Sequence, residues 1–300
     1  MQAQRAPLPD GRWHFQHGPI DLVIGAEGED RSVESAHDAA WARFQNVLPE
    51  LVTELRALRQ RVLGPCPLQG SVARRMWLAC RPYHAQFITP MAAVAGAVAQ
   101  EIVASYALAG ITRAWVNNGG DIALHLAPGA SVKVGLFADV GRFDLADAAI
   151  RLDAHFVVTA DLPVRGIATS GWRGRSFSLG IADSVTVLAR TAAMADAAAT
   201  MIANAVNLDD PRIERRPANE LKDDTDLGDT RVTVNVPPLA AEQVRAALQA
   251  GALRACALQR EGLIHSALLV CQHRATRVEA EASSALQHAT SPVELGSVFA

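Results

Sequence analysis

The stretch MAAVAGAVA, residues 91–99, consists almost entirely of alanine, valine and glycine. It follows Thr89-Pro90, a pattern typical of a helix start, and the apolar segment that contains it ends at Gly110. A helix with so little side-chain bulk must lie close to another backbone or to a ligand, because protein interiors are close-packed. An internal Gln-Glu pair argues against a membrane span, so we expect a helix inside a globular fold.

Length, composition and cysteine pattern limit the kind of protein that this chain can be. The chain has 300 residues, half of them apolar, and a formal net charge of -3. This length favours one large domain or two intimately packed halves, and the charge predicts a small-molecule partner and neither nucleic acid nor membrane. The four cysteines form no CxxC pair and the first residues contain no apolar leader segment. We therefore expect reduced thiols and a cytoplasmic protein.

Periodicity predicts an α+β fold. Helical spacing is found over residues 35–63, 71–79, 90–109, 191–208 and 240–251. Strand-like β-branched runs occupy residues 111–118, 121–127, 131–137, 149–160 and 184–189, and hairpins are predicted over 11–28 and 252–272, the latter turning at Glu261-Gly262. The polar residues 208–230 indicate a long surface excursion.

Each half of this pattern has strands, then two helices, then strands. It predicts antiparallel sheets covered by helices, and it is compatible with an internal duplication of a β-α-α-β unit. We expect a single domain over residues 1–300, built of halves at about 1–128 and 129–280. Residues 281–300 are expected to form a flexible tail.

The sequence VNNGGDIA places Asn118, Gly119, Gly120 and Asp121 between two predicted strands. Asn and Gly tolerate positive φ, so a plain hairpin turn explains part of this pattern. An Asp beside free backbone N–H groups also orients a polar ligand such as a ribose or a phosphate. From the residues alone, both interpretations stand.

The sequence ATSGWRGR supplies two hydroxyls and a glycine at a predicted strand end, Thr169, Ser170 and Gly171. Arg173 and Arg175 follow, and arginine binds phosphates through bidentate hydrogen bonds. Solvated arginines beside a polar strand edge are the alternative, since exposed arginines are common.

The helix after Thr191 carries three polar residues, Asp196, Thr200 and Asn204, at i, i+4 and i+8. That spacing places them on one face. A solvated face normally carries Lys, Glu or Arg, and this helix has none after Arg190, so the pattern favours a site. Carboxylate and hydroxyl oxygens are ligands that Mg²⁺ accepts.

Five motifs in one order are similar to those of ApbE-like flavin transferases: the Ala-rich helix, VNNGGDIA, ATSG, SVTVLA and ADAAAT. The resemblance covers roughly residues 88–205 and implies the ApbE-like fold. In that family FAD is cleaved, and FMN is attached through its phosphate to a protein Ser or Thr.

The resemblance implies a role for each matching residue. Asp196 and Thr200 would be Mg²⁺ ligands. FAD or a related nucleotide would lie beside the turn and the strand end, with Arg173 or Arg175 assisting at phosphate. The implied cofactor-binding residues are Asn118, Gly119, Gly120, Asp121, Thr169, Ser170, Gly171, Arg173 and Arg175.

The chain departs from the family in two places. The family has a Lys before the helix glycine, where this chain has Ala95 before Gly96. The family also has a His-Ile-Ile-Asp-Pro type segment before the SVTV strand, where this chain has WRGRSFSLGIAD with Asp183 as its carboxylate. No catalytic residue is therefore assigned.

Three hypotheses follow for function. The first is a Mg²⁺-assisted flavin-nucleotide or related phosphate-ligand cleft in a transferase-related protein that has lost standard FMN transfer. The second is a non-flavin enzyme or accessory protein of a cytoplasmic sulfur or one-carbon cofactor pathway, since folds are reused. The third is an interaction protein that forms a homodimer or other homo-oligomer through the small-residue helix. Isolated Cys and His side chains are expected to be structural: Cys66, Cys80, His84 and His125.

Overall fold

A computed structural model describes residues 2–136, 154–279 and 286–287. Its α-helices are α1 (Asp30–Thr53), α2 (Leu55–Leu58), α3 (Ser71–Cys80), α4 (Val94–Val103), α5 (Ala192–Ala205), α6 (Ala218–Leu221) and α7 (Ala241–Arg260). Its strands are β1 (Gln4–Pro7), β2 (Trp13–His17), β3 (Ile20–Gly28), β4 (Ile111–Asn118), β5 (Asp121–Leu126), β6 (Ser131–Leu136), β7 (Ala154–Thr159), β8 (Gly166–Ser170), β9 (Ser184–Ala189), β10 (Glu214–Pro217), β11 (Arg231–Asn235), β12 (Ser266–Cys271), β13 (Arg274–Val278) and β14 (Leu286–Gln287).

Nine strands form one antiparallel sheet in the order β1-β2-β3-β4-β5-β8-β9-β12-β13. Strands from both predicted halves therefore share one sheet, joined where β5 pairs with β8. A three-stranded sheet has the order β14-β7-β6, and β10 pairs with β11. The predicted α+β class with antiparallel sheets is confirmed, whereas the division into halves and the duplication remain predictions.

Helices cover one face of the large sheet. Helix α1 packs on β2 and β3, α4 on β4 and β5, α5 on β8 and β9, and α7 on β12 and β13. This interface forms the main hydrophobic core. A smaller apolar cluster joins the large sheet to the three-stranded sheet and includes Trp115, Leu124, Val134, Phe156 and Ile167.

The predicted hairpin over 252–272 is wrong. Helix α7 runs without interruption to Arg260, and the strand pair is β12 with β13. The physical reason lies at Gly251, which does not end the helix: a Cβ there would lie 2.3 Å from Val206 Cγ2, so this glycine allows close packing of α7 on its neighbour. The hairpin turns instead at Gln272 and His273, both in the left-handed region at φ 43° and 65°.

The other predicted segments can be compared with the structure only where their residues are described. The excursion over 208–230 contains β10 and α6. Residues 137–153, into which two predicted strands extend, and most of the predicted tail over 281–300 lie outside the described residues. The four cysteines form no disulfide. Within the described ranges, no helix combines the length and the hydrophobicity needed to cross a bilayer.

Candidate functional site

The candidate site lies where several strands of the large sheet end beneath α4 and α5. The turn between β4 and β5 carries the NNGGD sequence, and β8 ends beside it at Ser170. Helix α5 crosses α4 closely, because a Cβ on Gly96 would lie 2.3 Å from the Ala192 carbonyl oxygen. The fold thus brings the Ala-rich helix, the turn, the strand end and the polar helix together, although they are far apart in sequence.

A pair of carboxyl groups forms the centre of this site. Asp121 is buried at the start of β5, and Asp196 lies in the second turn of α5. Their side chains share a hydrogen bond. Backbone donors surround the pair: the Gly96 N–H donates to Asp196 Oδ2 at 2.9 Å, and the Thr169 N–H donates to Asp121 Oδ1 at 3.1 Å.

Both carboxyl groups hold their proton more tightly than a solvated aspartate does. Burial is the largest cause in each case, raising the pKa of Asp196 to about 7 and the pKa of Asp121 well above its usual range. The negative charge of Asp196 raises the pKa of Asp121 further, whereas the backbone donors and the Arg175 cation oppose these shifts. Two buried carboxylates in contact cannot both ionise without a compensating cation, so the pair keeps a proton near neutral pH.

Asn118 fixes the turn to the start of α4. Its Nδ2 donates to the Ala95 carbonyl oxygen at 3.1 Å, and the Asn117 side chain accepts from the Gly120 N–H at 2.8 Å. Positive φ values at Gly119 and Gly120, 63° and 106°, allow the tight reversal. These contacts meet the requirements of a plain turn, and they also hold Asp121 in place.

Arg175 lies directly against the turn. A Cβ on Gly119 would lie 1.7 Å from a terminal guanidinium nitrogen of Arg175, so glycine is what allows this approach. Arg175 is exposed, and its charge lowers the pKa of nearby Asp121. A cation therefore stands at the mouth of the carboxyl site.

Arg173 has a different environment. Its Nε lies 3.0 Å from Asp183 Oδ1, and its guanidinium lies over the Trp172 ring with 5.2 Å to the centroid. Asp183 also accepts from the Gln272 N–H at 2.5 Å. The structure thus brings Arg175 to the turn, whereas Arg173 forms an ion pair with Asp183.

The three predicted residues at the end of β8 differ in their contacts. Thr169 contributes its backbone to the carboxyl site, while its hydroxyl forms a hydrogen bond with that of Thr186 at 2.9 Å. Ser170 is half-buried at the end of β8, and Gly171 packs on the Asp183 backbone.

The polar face of α5 does not act as one unit. Thr200 is half-buried one turn after Asp196, and its hydroxyl has no hydrogen-bond partner in the described part of the chain. Asn204 Oδ1 accepts from the Leu179 N–H at 2.9 Å and from the Ser178 hydroxyl at 3.3 Å. Asn204 therefore holds a neighbouring loop, whereas the beginning of this face belongs to the carboxyl site.

The oxygen-bearing side chains of this site fit Mg²⁺ on the condition that Asp121 and Asp196 bind it. Over the described ranges, no three His, Cys, Asp or Glu side chains come together as a metal-binding group. A cation here would depend on Asp121 and Asp196, with hydroxyl, carbonyl or water oxygens completing its shell. Mg²⁺ is commonly bound in this way, through one or two carboxylates and several waters.

Sequence reasoning missed two contacts. It gave Asp121 and Asp196 separate roles, although an isolated Asp on each of two apolar elements was a signal that both face the interior, where Asp121 is buried and Asp196 partly buried. The Thr89-Pro90 pattern is typical of a helix start, but the Thr89 hydroxyl donates to Asp226 and does not cap the helix, and a short 3₁₀ turn, Pro90–Ala93, precedes α4. The excursion over 208–230 therefore contacts the start of the Ala-rich segment.

Comparison with known proteins assigns this chain to a family. The model of the family described as "AbpE bacteria" matches residues 5–281. A UPF0280 protein of Methanopyrus kandleri is 34% identical over 211 residues, which cover 68% of this chain and 78% of the relative. A UPF0280 protein of Methanosarcina acetivorans is 31% identical over 214 residues, covering 70% and 77%.

Solved structures match nearly the whole chain, but their sequence identity to it is low. The ApbE protein of Thermotoga maritima is 12% identical with a TM-score of 0.45, covering 93% of this chain and 97% of that chain. The flavinyl transferase ApbE of Pseudomonas stutzeri, in its apo form, is also 12% identical, with a TM-score of 0.44 and coverage of 93% and 94%. The assignment rests on the family model and the sequence relatives: the chain belongs to the AbpE bacteria family and is a divergent ApbE-like protein.

Proposed function

We propose that the site around Asp121 and Asp196 binds a flavin nucleotide together with Mg²⁺. The observation that carries the proposal is the carboxyl pair of buried Asp121 and partly buried Asp196, which holds a proton where a divalent cation would replace it. A structural role alone would be met by one carboxylate capping the first turn of α4. A second carboxyl group in contact with it adds electrostatic cost that only a proton or a cation relieves.

The surroundings support a phosphate-containing ligand. Arg175 lies against Gly119 and offers a planar group suited to phosphate oxygens. The Thr200 hydroxyl, which has no hydrogen-bond partner among the described residues, lies on the same helix face as Asp196, and this supports Thr200 as a further metal ligand. When bound, Mg²⁺ would neutralise negative charge on the nucleotide phosphates. Asp121 and Asp196 would hold the cation, while Asn118 keeps the turn in position beside it.

The flavin part of the proposal comes from the motif resemblance and family membership. We further propose that standard FMN transfer is absent, because Ala95 replaces the family lysine and the segment before β9 lacks the family histidine. Asp183, the carboxylate in that segment, is occupied by Arg173 and the Gln272 N–H. A cytoplasmic location and a homo-oligomeric state are also proposed and await fractionation and size measurements.

The first test is titration of the purified protein with FAD, FMN and ADP, with and without Mg²⁺. For Asp196→Asn, Mg²⁺-dependent FAD affinity is expected to fall about thirtyfold, because a neutral amide replaces a charged ligand of the cation. Flavin fluorescence and calorimetry measure this loss. Asp210→Asn is the matched control, because Asp210 pairs with Arg212 outside the site, and its flavin affinity should not change.

Two outcomes would count against the proposal. If no nucleotide binds at any Mg²⁺ concentration, the site has kept the family scaffold without its ligand. If FAD binds equally well to Asp196→Asn, the carboxyl pair does not hold the metal. The affinities measured for FMN and for ADP then distinguish recognition of the flavin ring from recognition of phosphate.

Arg175→Ala and Arg173→Ala distinguish the two arginines. Loss of Arg175 is expected to weaken Mg²⁺-FAD binding about tenfold with little change in stability, because that side chain is exposed beside the turn. Loss of Arg173 is expected to lower the free energy of unfolding by about 1–3 kcal/mol, because it leaves the buried Asp183 carboxylate without its cation. Calorimetric binding and urea unfolding of both variants measure these effects, and the opposite pattern would assign the phosphate contact to Arg173.

A further inference from the structure

A cavity lies among the helices, apart from the residues assigned to the flavin site. Its volume is about 460 Å³, and α3, the turn that follows α3, the beginning of α5 and Leu263 form its walls. Cavities of this size accommodate small organic ligands. Neither member of the carboxyl pair lines it.

The cavity wall is mainly apolar. Leu78, Pro82, Tyr83, Met194 and Leu263 contribute side chains to it. Leu78 remains 53% exposed although it lies on a helix whose neighbouring residues form the core. A wall of this kind favours an apolar chain or ring, because burial of apolar surface is favourable.

The charged groups that the described residues contribute to the wall are positive. Arg74 and Arg75 line the cavity, and no carboxylate is among the described residues that line it. Arg75 donates to Glu101 at 2.6 Å, so its charge is already compensated. The Arg74 side chain is exposed, and its guanidinium has no hydrogen bond or ion pair to any other described residue.

The beginning of α5 adds to this positive character. Thr191 lines the cavity and caps the helix by accepting from the Met194 N–H at 3.3 Å. The first turn of a 14-residue helix carries a partial positive charge. The wall therefore combines an apolar surface with one uncompensated cation and a helix N-terminus.

We propose that this cavity binds a small amphipathic anion, an organic carboxylate whose apolar tail lies against Leu78, Met194 and Leu263 and whose charged end meets Arg74. This binding site is separate from the proposed flavin site and does not depend on it. The ligand class follows from the lining, because an uncharged apolar compound would leave Arg74 unused and a small inorganic anion would leave the apolar wall exposed to water.

Calorimetric titration with sodium octanoate, and with 1-octanol as its neutral analogue, tests this proposal. Octanoate is expected to bind at least about tenfold more tightly than octanol. Arg74→Ala should remove that preference, and Leu78→Asp should weaken octanoate binding by more than about tenfold, because it places a carboxylate in the wall. Leu78 is exposed, so this change does not remove a core side chain.

Arg81→Ala is the matched control, because Arg81 is an exposed cation that stacks on Trp77 and does not line the cavity. It should retain full octanoate affinity. The proposal is overturned if octanoate does not bind, if octanol binds equally well, or if Arg74→Ala and Leu78→Asp both leave octanoate affinity unchanged. Asp196→Asn should retain octanoate binding, so failure of the flavin proposal and failure of this one are distinguishable.

Discussion

Replacement of Gly96 by alanine is expected to lower the free energy of unfolding by about 3 kcal/mol. The added Cβ would lie 2.3 Å from the Ala192 carbonyl oxygen, 2.6 Å from the Ala192 carbonyl carbon and 2.9 Å from Asp196 Cβ. Two of these atoms belong to the backbone of α5, which cannot rotate away as a flexible side chain can. The helices must separate, and core packing around both is lost.

Urea denaturation measures this change in stability. Gly174→Ala is the matched control, because the nearest atom to its added Cβ is the Gly171 carbonyl oxygen at 3.3 Å in an exposed loop. That variant is expected to unfold within about 0.5 kcal/mol of the parent. Equal stability of Gly96→Ala and the parent would show that α4 and α5 are not in close contact at this point.

Gly96→Ala should also affect the carboxyl site. The Gly96 N–H donates to Asp196, so separation of the helices lengthens this hydrogen bond. Mg²⁺-dependent flavin binding is therefore expected to weaken in this variant even under conditions in which it remains folded.

The second large effect concerns pH. In the absence of divalent cations, Asp196 is expected to reduce stability by about 3 kcal/mol as the pH rises from 4 to 8. Its pKa is raised to about 7 in the folded protein, chiefly by burial. Between the unfolded and folded pKa values, the folded state holds the proton that the unfolded state has released. The contribution of this group is therefore full below the unfolded pKa and is lost as the pH rises through the folded pKa.

The difference in stability between the parent and Asp196→Asn isolates the titration of the carboxyl pair, because the substitution also removes the charge that raises the pKa of Asp121. Burial lowers the pKa of His37, His125 and His265, so these groups favour folding as the pH rises toward neutrality and oppose the trend in the parent. They are present in both proteins and cancel in the difference. Asp196→Asn should be the more stable of the two at pH 8, and Mg²⁺ should restore the parent.

Urea unfolding at a series of pH values in the presence of a chelator provides the measurement. Asp210→Asn serves as a control again, because its native carboxylate is stabilised by Arg212 and has its pKa lowered. A difference between the parent and Asp196→Asn that does not change with pH would mean that Asp196 is solvated, and the case for a cation site would be lost.

The sequence by itself determined the class of fold and the residues of interest. Alternating strand and helix periods predicted an α+β fold, and the order of five short motifs predicted the family. The lack of bulk in residues 91–99 predicted a helix close to another backbone or to a ligand, and the approach of Gly96 to the Ala192 backbone is a contact of the first kind. These inferences succeed because periodicity and side-chain size act locally along the chain.

Only the tertiary structure decided how these residues combine. No local pattern relates Asp121 to Asp196, since they meet through the pairing of β5 with β8 and the packing of α5 on the sheet. The same holds for Arg173 and Arg175, two residues apart, of which one pairs with Asp183 and the other lies at Gly119. The pKa of a carboxyl group and the partner of an arginine depend on burial and on neighbours distant in sequence, and those are set by the folded chain as a whole.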